Sequence, residues 1–279
     1  MTSVSCHEGV WTHPASGQRL FYRLWRPQDV HHLVVILHGF GEHGGRYLEV
    51  GARLAEQGIG VVAPDLIGHG RSDGQRGDLD MRQCVEALAR LTDSVWLSEF
   101  TLKHYAVFGH SFGGLVAIQW ALEAPSGLHR LVLQAPLLEA GFHIPHWKVA
   151  AARVFALLWP TWPFSTGLDA GALSRDPRVV EAYLADPLVH RVMSARTYAA
   201  LVRAWDDAVM RAKQLHVPTL FLCGLADRII SVEAAHRWFD RLLCEKRRMT
   251  FPGCYHELHH ESVRDEALRA VADWVRADG

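Results

Sequence analysis

The sequence predicts an α/β fold: a mostly parallel, doubly wound sheet with a helical cap inserted over its C-terminal edge. Three observations carry that expectation. Short β-branched or aromatic runs alternate with longer segments of helical apolar spacing, as strands alternate with crossover helices. The run Leu33 to Leu37 is apolar without interruption, as a central strand covered on both faces must be. The alternation stops after Pro136 and resumes near Thr219, with only helical and Pro-interrupted apolar sequence between. The chain therefore divides into a core, residues 1–136 and 218–279, and an inserted cap, residues 137–217.

In order, Val10–Thr12 and Arg19–Trp25 flank the turn cluster Pro14-Ala15-Ser16-Gly17-Gln18 and read as an antiparallel hairpin. The Leu33–Leu37 strand leads through a Gly-rich loop, 38–47, into a helix over about Leu48 to Gln57, stopped by Gly58. Gly60–Ala63 is the next strand, closing at Pro64-Asp65 and followed by a second Gly-rich loop, 68–74. From Leu79 to Phe100, Met81, Val85, Leu88, Leu91 and Val95 recur at helical spacing. His104–Phe108 reads as a buried strand and Gly114–Leu122 as a buried helix ended by Pro125. Strands follow at Leu131–Leu133, Thr219–Cys223 and Arg248–Phe251, with helices over Val232–Leu243 and Val263–Val275.

Composition bounds the function. A chain of 279 residues with 49% hydrophobic and 21% charged residues can bury a sizeable core. A net charge of −1 suggests neither nucleic acid nor an anionic membrane as partner. Five scattered cysteines without a C-x-x-C pair argue against a disulfide framework and for a reducing compartment. The first ten residues have no apolar core of a secretory signal, and no run reaches the ~18 apolar residues of a membrane span. The expectation is a soluble, cytoplasmic protein of unspecified oligomeric state.

The chain is organised around Gly109-His110-Ser111-Phe112-Gly113, set between a strand and a helix. G-x-S-x-G on a strand-to-helix turn leaves a serine oxygen protruding at the sheet's C-terminal edge, where small neighbours are obligatory. A serine needs a base to take its proton, and the base needs an acid to fix its tautomer. Asp227 and His256 each lie just past the C-terminal end of a later strand, in the chain order this architecture uses. Asp206 and Asp207 are weaker rivals inside the cap. Acyl transfer also needs two backbone N–H donors for the oxyanion. One is expected from Phe112, after the serine, and one from Phe40, in the loop after the Leu33–Leu37 strand.

His38 to Tyr47, Asp65 with Gly-His-Gly-Arg-Ser-Asp-Gly at 68–74, and Gly-His-Ser-Phe-Gly-Gly at 109–114 resemble the monoacylglycerol lipase and lysophospholipase branch of the α/β-hydrolases. Ala226-Asp227-Arg228, Tyr255-His256-Glu257 and Asp186-Pro187-Leu188-Val189 are similar too. The resemblance covers nearly the whole chain and is weakest from Leu137 to Arg175. It implies a triad of Ser111, Asp227 and His256, an oxyanion hole at Phe40 and Phe112, a lipid ester substrate, and no cofactor or metal. It further implies that Glu42, Arg46 and His259 present polar groups to a glycerol-like head group. Salt bridges are the structural alternative for those residues. An esterase of small soluble esters, a related serine aminopeptidase, and a binding module with an inactive triad are the other readings.

Two motifs point elsewhere. Gly39-Phe40-Gly41-Glu42-His43-Gly44, with Asp65 about 20 residues on, matches the dinucleotide fingerprint of a nicotinamide oxidoreductase. Glu42 would then place a carboxylate beside a diphosphate. His256-Glu257-Leu258-His259-His260 contains H-E-x-x-H, which binds zinc when both histidines share one helical face. Pro252-Gly253 just upstream argues for a loop there instead. In the cap, Phe142 to Phe164 is strongly apolar, and a helix over Val149–Trp159 would be hydrophobic nearly all round. Leu157 and Leu158 are therefore expected to line an acyl tunnel, with transient membrane or micelle contact through the rest of that surface.

Overall fold

The computed structural model describes residues 4–100, 102–142 and 146–277. Residues 143–145 of the apolar cap stretch and 1–3 of the N-terminal segment lie outside them. The strands β1 (Cys6–Thr12) and β2 (Arg19–Trp25) form the expected antiparallel hairpin. β3 (His32–Leu37), β4 (Ile59–Pro64), β5 (Tyr105–His110) and β6 (Leu128–Gln134) follow. Two short strands, β7 (Pro163–Ser165) and β8 (Val192–Ser194), lie in the insertion, and β9 (Thr219–Gly224) and β10 (Lys246–Phe251) complete the core. Eight strands make one sheet in the order β1-β2-β4-β3-β5-β6-β9-β10. All pairings from β4 to β10 are parallel, and β2 joins β4 antiparallel.

The helices are α1 (Leu48–Ala55), α2 (Met81–Glu99), α3 (Phe112–Leu122), α4 (His146–Leu158), α5 (Pro177–Ala185), α6 (Ala195–Met210), α7 (Val232–Asp240) and α8 (Arg264–Arg276). The pleat of β3 sorts its side chains between two cores. Val34 and Ile36 pack with Leu54 of α1 and Leu268 and Val271 of α8. Leu33, Val35 and Leu37 pack on the other face with Leu91 of α2, Leu115 of α3 and Phe239 of α7. Because both faces are covered, the central strands carry no alternation in sequence.

The insertion departs from the expectation of helices alone. β7 and β8 pair antiparallel within it, Phe164 opposite Met193. Strands of three residues are too short to show a period-two pattern, so nothing in the sequence separates them from loop. α6 runs back along the core, where the Gln119 amide donates to the Ala204 carbonyl at 3.1 Å and the Trp238 indole to that of Ala208 at 2.9 Å. α6 is thereby docked against α3 and α7. None of the described helices is long and apolar enough to cross a membrane.

Candidate active site

Ser111 sits between the end of β5 and the start of α3 with φ 52° and ψ −117°, a region L-residues rarely occupy. The surrounding hydrogen bonds hold it there. Its N–H donates to the Gln134 carbonyl at 3.0 Å, and its own carbonyl accepts from Gly114 and Leu137 at 3.0 and 2.9 Å. A Cβ on Gly109 would lie 2.5 Å from the Gly113 carbonyl oxygen, and one on Gly113 would overlap the Leu37 carbonyl. Strand and helix can approach this closely only with glycine at both positions.

The loops after β9 and β10 bring Asp227 and His256 together. Asp227 Oδ2 lies 2.6 Å from His256 Nδ1, and both side chains are buried. A carboxylate there fixes the ring with its proton on Nδ1, leaving Nε2 free to accept. Asp227 Oδ1 is held in turn by the N–H groups of Ile229 and Ile230 at 2.7 and 3.2 Å. Burial alone would lower the His256 pKa. The charge and hydrogen bond of Asp227 more than offset it, so the group titrates above its ordinary value of 6.5. Asp207 instead pairs with Arg211 at the C-cap of α6.

Phe40 and Phe112 converge from the two sides of Ser111, their rings in edge contact at 5.3 Å between centroids. Phe112 opens α3, where a helix leaves its first N–H groups without an internal acceptor. The Phe40 loop is fixed from both sides. Gly39 N–H donates to Glu42 Oε1 at 2.6 Å, and His190 N–H from the insertion donates to the Gly41 carbonyl at 2.8 Å. Gly41 has φ +80°, and a Cβ there would collide with the His190 carbonyl. Among the described residues neither the Phe40 nor the Phe112 N–H has a protein acceptor.

Behind the nucleophile lies a buried polar network. Arg46 bridges Glu42 and Glu257, reaching Glu257 through both terminal nitrogens at 2.5 and 2.8 Å. Burial pushes both carboxyls up, but Arg46 overrides it and holds them below their usual range. Tyr47 hydroxyl donates to Glu42 Oε1 at 2.9 Å, and the His260 Nδ1 lies 2.8 Å from Glu257 Oε2. Gln134, at the end of β6, was not singled out in the sequence. Its amide nitrogen lies 3.1 Å from His110 Nδ1 and 2.7 Å from His259 Nδ1. The available signal was one polar residue directly after the apolar run Leu131–Leu133.

A cavity of about 500 Å³ opens beside Ser111. Its core-side wall is Gly39, Phe40, Glu42, His110, His256 and Glu257, and the insertion adds Ala151, Ala152, Phe164, Leu173, Met193, Leu201 and Trp205. Of the residues expected to meet a head group, Glu42 reaches the wall. Arg46 lies behind it between two carboxylates, and His259 is 2% exposed, away from the lining and stacked on Tyr47. Leu157 and Leu158 do not line the cavity: they are 85% and 60% exposed. Apart from Lys148 and Arg153, α4 is apolar nearly all round from Val149 on, so its sequence did not show which face turns inward. Ala151 and Ala152 do, Leu157 falls about 140° round the helix from Ala152, and Leu158 occupies the last turn.

A family model described as serine aminopeptidase, S33, matches residues 28–263. The chain belongs to this family of α/β-hydrolases. It is 36% identical over 263 residues to the monoacylglycerol lipase of Mycolicibacterium smegmatis, covering 93% of each chain. It is 32% identical to the monoglyceride lipase of Homo sapiens, with 94% of this chain and 88% of that one covered. The crystal structure of Paleococcus ferrophilus monoacylglycerol lipase superposes with a TM-score of 0.82 at 31% identity, covering 97% of this chain and 98% of that one. These relatives bear out the resemblance to the monoacylglycerol lipase branch.

The two contrary motifs serve this hydrolase as structure. Asp65, the acid of the dinucleotide pattern, is fully buried and accepts from Gly44 N–H at 2.8 Å, Arg23 at 3.1 Å and Arg71 N–H at 2.8 Å. It ties the two Gly-rich loops together. Glu42 occupies the centre of the first loop, and Gly44–Tyr47 is a 3₁₀ turn rather than the start of the helix a diphosphate would cap. In the H-E-x-x-H stretch only Leu258–His260 is helical, as one 3₁₀ turn, and His256 is committed to Asp227. The ligating atoms of Glu257, His259 and His260 do lie within 4.8 Å of one another. However, Arg46 already binds both Glu257 oxygens, so a cation would sit against a guanidinium.

Proposed function

We propose that this serine hydrolase cleaves the ester of a monoacylglycerol without a cofactor, through an acyl-enzyme on Ser111. Ser111 Oγ attacks the ester carbonyl while His256 Nε2 takes its proton and Asp227 stabilises the imidazolium. The Phe40 and Phe112 N–H groups receive the charge that develops on the carbonyl oxygen. His256 returns the proton to the departing alcohol, then activates water to release the fatty acid.

The observation that carries this reading is the cavity. One space joins Ser111 and His256 to a long apolar wall from the insertion, and its polar end holds two carboxylates, Glu42 and Glu257, against one arginine. An apolar wall rewards an acyl chain by up to about 0.8 kcal/mol per methylene buried. A polar end with excess negative charge favours a neutral polyol over a phosphate head group, which sets monoacylglycerol ahead of lysophospholipid. Val154, Leu157, Leu158, Trp159 and Trp162 form an exposed apolar patch on the insertion, which supports peripheral contact with membrane or micelle by a soluble, cytoplasmic protein.

The deciding experiment compares kcat/KM for monoacylglycerols, lysophospholipids, simple alkyl esters and aminoacyl amides across acyl lengths. Monoacylglycerols of medium or long chain are expected to be turned over best. If acetyl esters lead, the protein is a small-ester esterase, and if an aminoacyl amide leads, it is an aminopeptidase.

A further inference from the structure

Gln134 meets two imidazoles at once through its amide nitrogen. It is 1% exposed at the end of β6. An amide NH₂ donates and cannot accept, so His110 Nδ1 at 3.1 Å and His259 Nδ1 at 2.7 Å must both be bare. Each ring then carries its proton on Nε2. His110 immediately precedes the nucleophile and lines the cavity. With its Nδ1 edge covered by Gln134, the Nε2 edge is the one left to meet a ligand in the cavity that His110 lines.

The position of that N–H matters for one partner of the reaction. The departing alcohol must reach His256 to collect its proton, and the His110 ring stands 4.6 Å from the His256 ring, centroid to centroid. The polar residues Glu42 and Glu257 line this end of the cavity, whereas the acyl chain has the apolar wall. An alcohol leaving past His256 therefore meets a second donor. Resting on the function proposed above, we infer that Gln134 is a positioning residue: it locks His110 in the Nε2–H tautomer, so that this ring donates a hydrogen bond to the leaving alcohol. Burial and the neighbouring His256 push the His110 pKa down to about 4, so the ring stays neutral while it does so.

The proposal is tested on the full chain with Gln134→Glu, which keeps the shape but can only accept, and Gln134→Met, which can do neither. The first readout is nitrogen-15 NMR of histidine-labelled protein, with His110→Gln assigning the resonance. The wild type is expected to show a bare Nδ1 on His110, Gln134→Glu a protonated one, and Gln134→Met no single fixed tautomer. The second readout is the ratio of kcat/KM for a monoacylglycerol to that for the p-nitrophenyl ester of the same acid, whose phenolate leaves without help from a donor. Loss of one hydrogen bond is worth about a factor of ten, so the ratio is expected to fall roughly tenfold in Gln134→Glu and measurably but less in Gln134→Met, where part of the population keeps the Nε2 proton.

An unchanged His110 tautomer in Gln134→Glu overturns the clamp. A changed tautomer with an unchanged ratio overturns the role in the reaction. Should Gln134→Glu fail to fold, Gln134→Met supplies both readouts. A wild type that hydrolyses neither ester overturns the proposed function instead, and the NMR result still decides the clamp.

Discussion

Ser111 has an unremarkable hydroxyl, and its reactivity depends on what the fold places around it. On the proposed mechanism the nucleophile, base and acid act as a unit, so removing one removes nearly the whole effect. Ser111→Ala should leave a folded protein with ester hydrolysis down by roughly three to six orders of magnitude. A fluorophosphonate probe should label the wild type at Ser111 and fail on the variant, and substantial activity in a folded Ser111→Ala protein would remove the assignment. His256 adds a pH signature. Only its neutral form can accept the serine proton, and Asp227 raises its pKa above 6.5. The rate should therefore fall as pH drops through a midpoint above 6.5, later lost entirely in acid. A log kcat/KM profile with its acid midpoint well under 6.5 would mean that another group serves as base. Chelators should change nothing, because no step uses a metal, and inactivation reversed by added zinc would point back to Glu257, His259 and His260.

At the scale of elements, α4 separates two tasks that its sequence runs together. Its inward residues, Ala151 and Ala152, shape the cavity, while Leu157 and Leu158 face outward with Trp159 and Trp162 close by. Leu157→Asp combined with Leu158→Asp should therefore reduce binding to lipid vesicles and turnover of vesicle-borne substrate by severalfold. Turnover of a monomeric, water-soluble ester should change little. Equal loss on both substrates would return these leucines to the cavity wall. The contrast also shows what a sequence can reveal. Ser111, Asp227 and His256 were legible because each stands just past the C-terminal end of a strand, the edge where such a sheet presents its loops. The face of α4 was not legible, because a helix apolar on nearly every side gives little direction until its neighbours are known. Gln134 was not legible either, because its partners lie 24 and 125 residues away and only the packed sheet brings them together. Glu42 and Arg46 were expected to face a head group, with salt bridges as the alternative, but their closure by Glu257, 211 residues from Arg46, was not legible.

At the scale of the whole molecule, the core carries an unusual load of neutral imidazole. His38, His69, His110 and His259 are all buried, and burial pushes each pKa below the ordinary 6.5, for His110 to about 4. A group whose folded pKa is depressed contributes stability above its unfolded value and loses it as pH falls toward the folded value. Below about pH 6.5 the unfolded chain binds protons at these rings and the native chain does not. For His110 alone the difference at pH 5 is on the order of 2 kcal/mol, taking 1.36 kcal/mol per pH unit. His256 works in the opposite sense, since its raised pKa makes it stabilising below 6.5, but it stands against these four rings and against His190, which burial also lowers to about 4. Glu42 and Glu257 add a second acid loss only below their ordinary 4.5. The thermal midpoint should therefore fall by several degrees between pH 7 and pH 5, before any carboxylate titrates. His110→Gln, which cannot protonate, should lower the midpoint at pH 7 yet make it less steep between those values. A midpoint that holds level or rises from pH 7 to pH 5 would mean that these imidazoles find proton acceptors in the native state, and the tautomers drawn for His110 and His259 would fall with it.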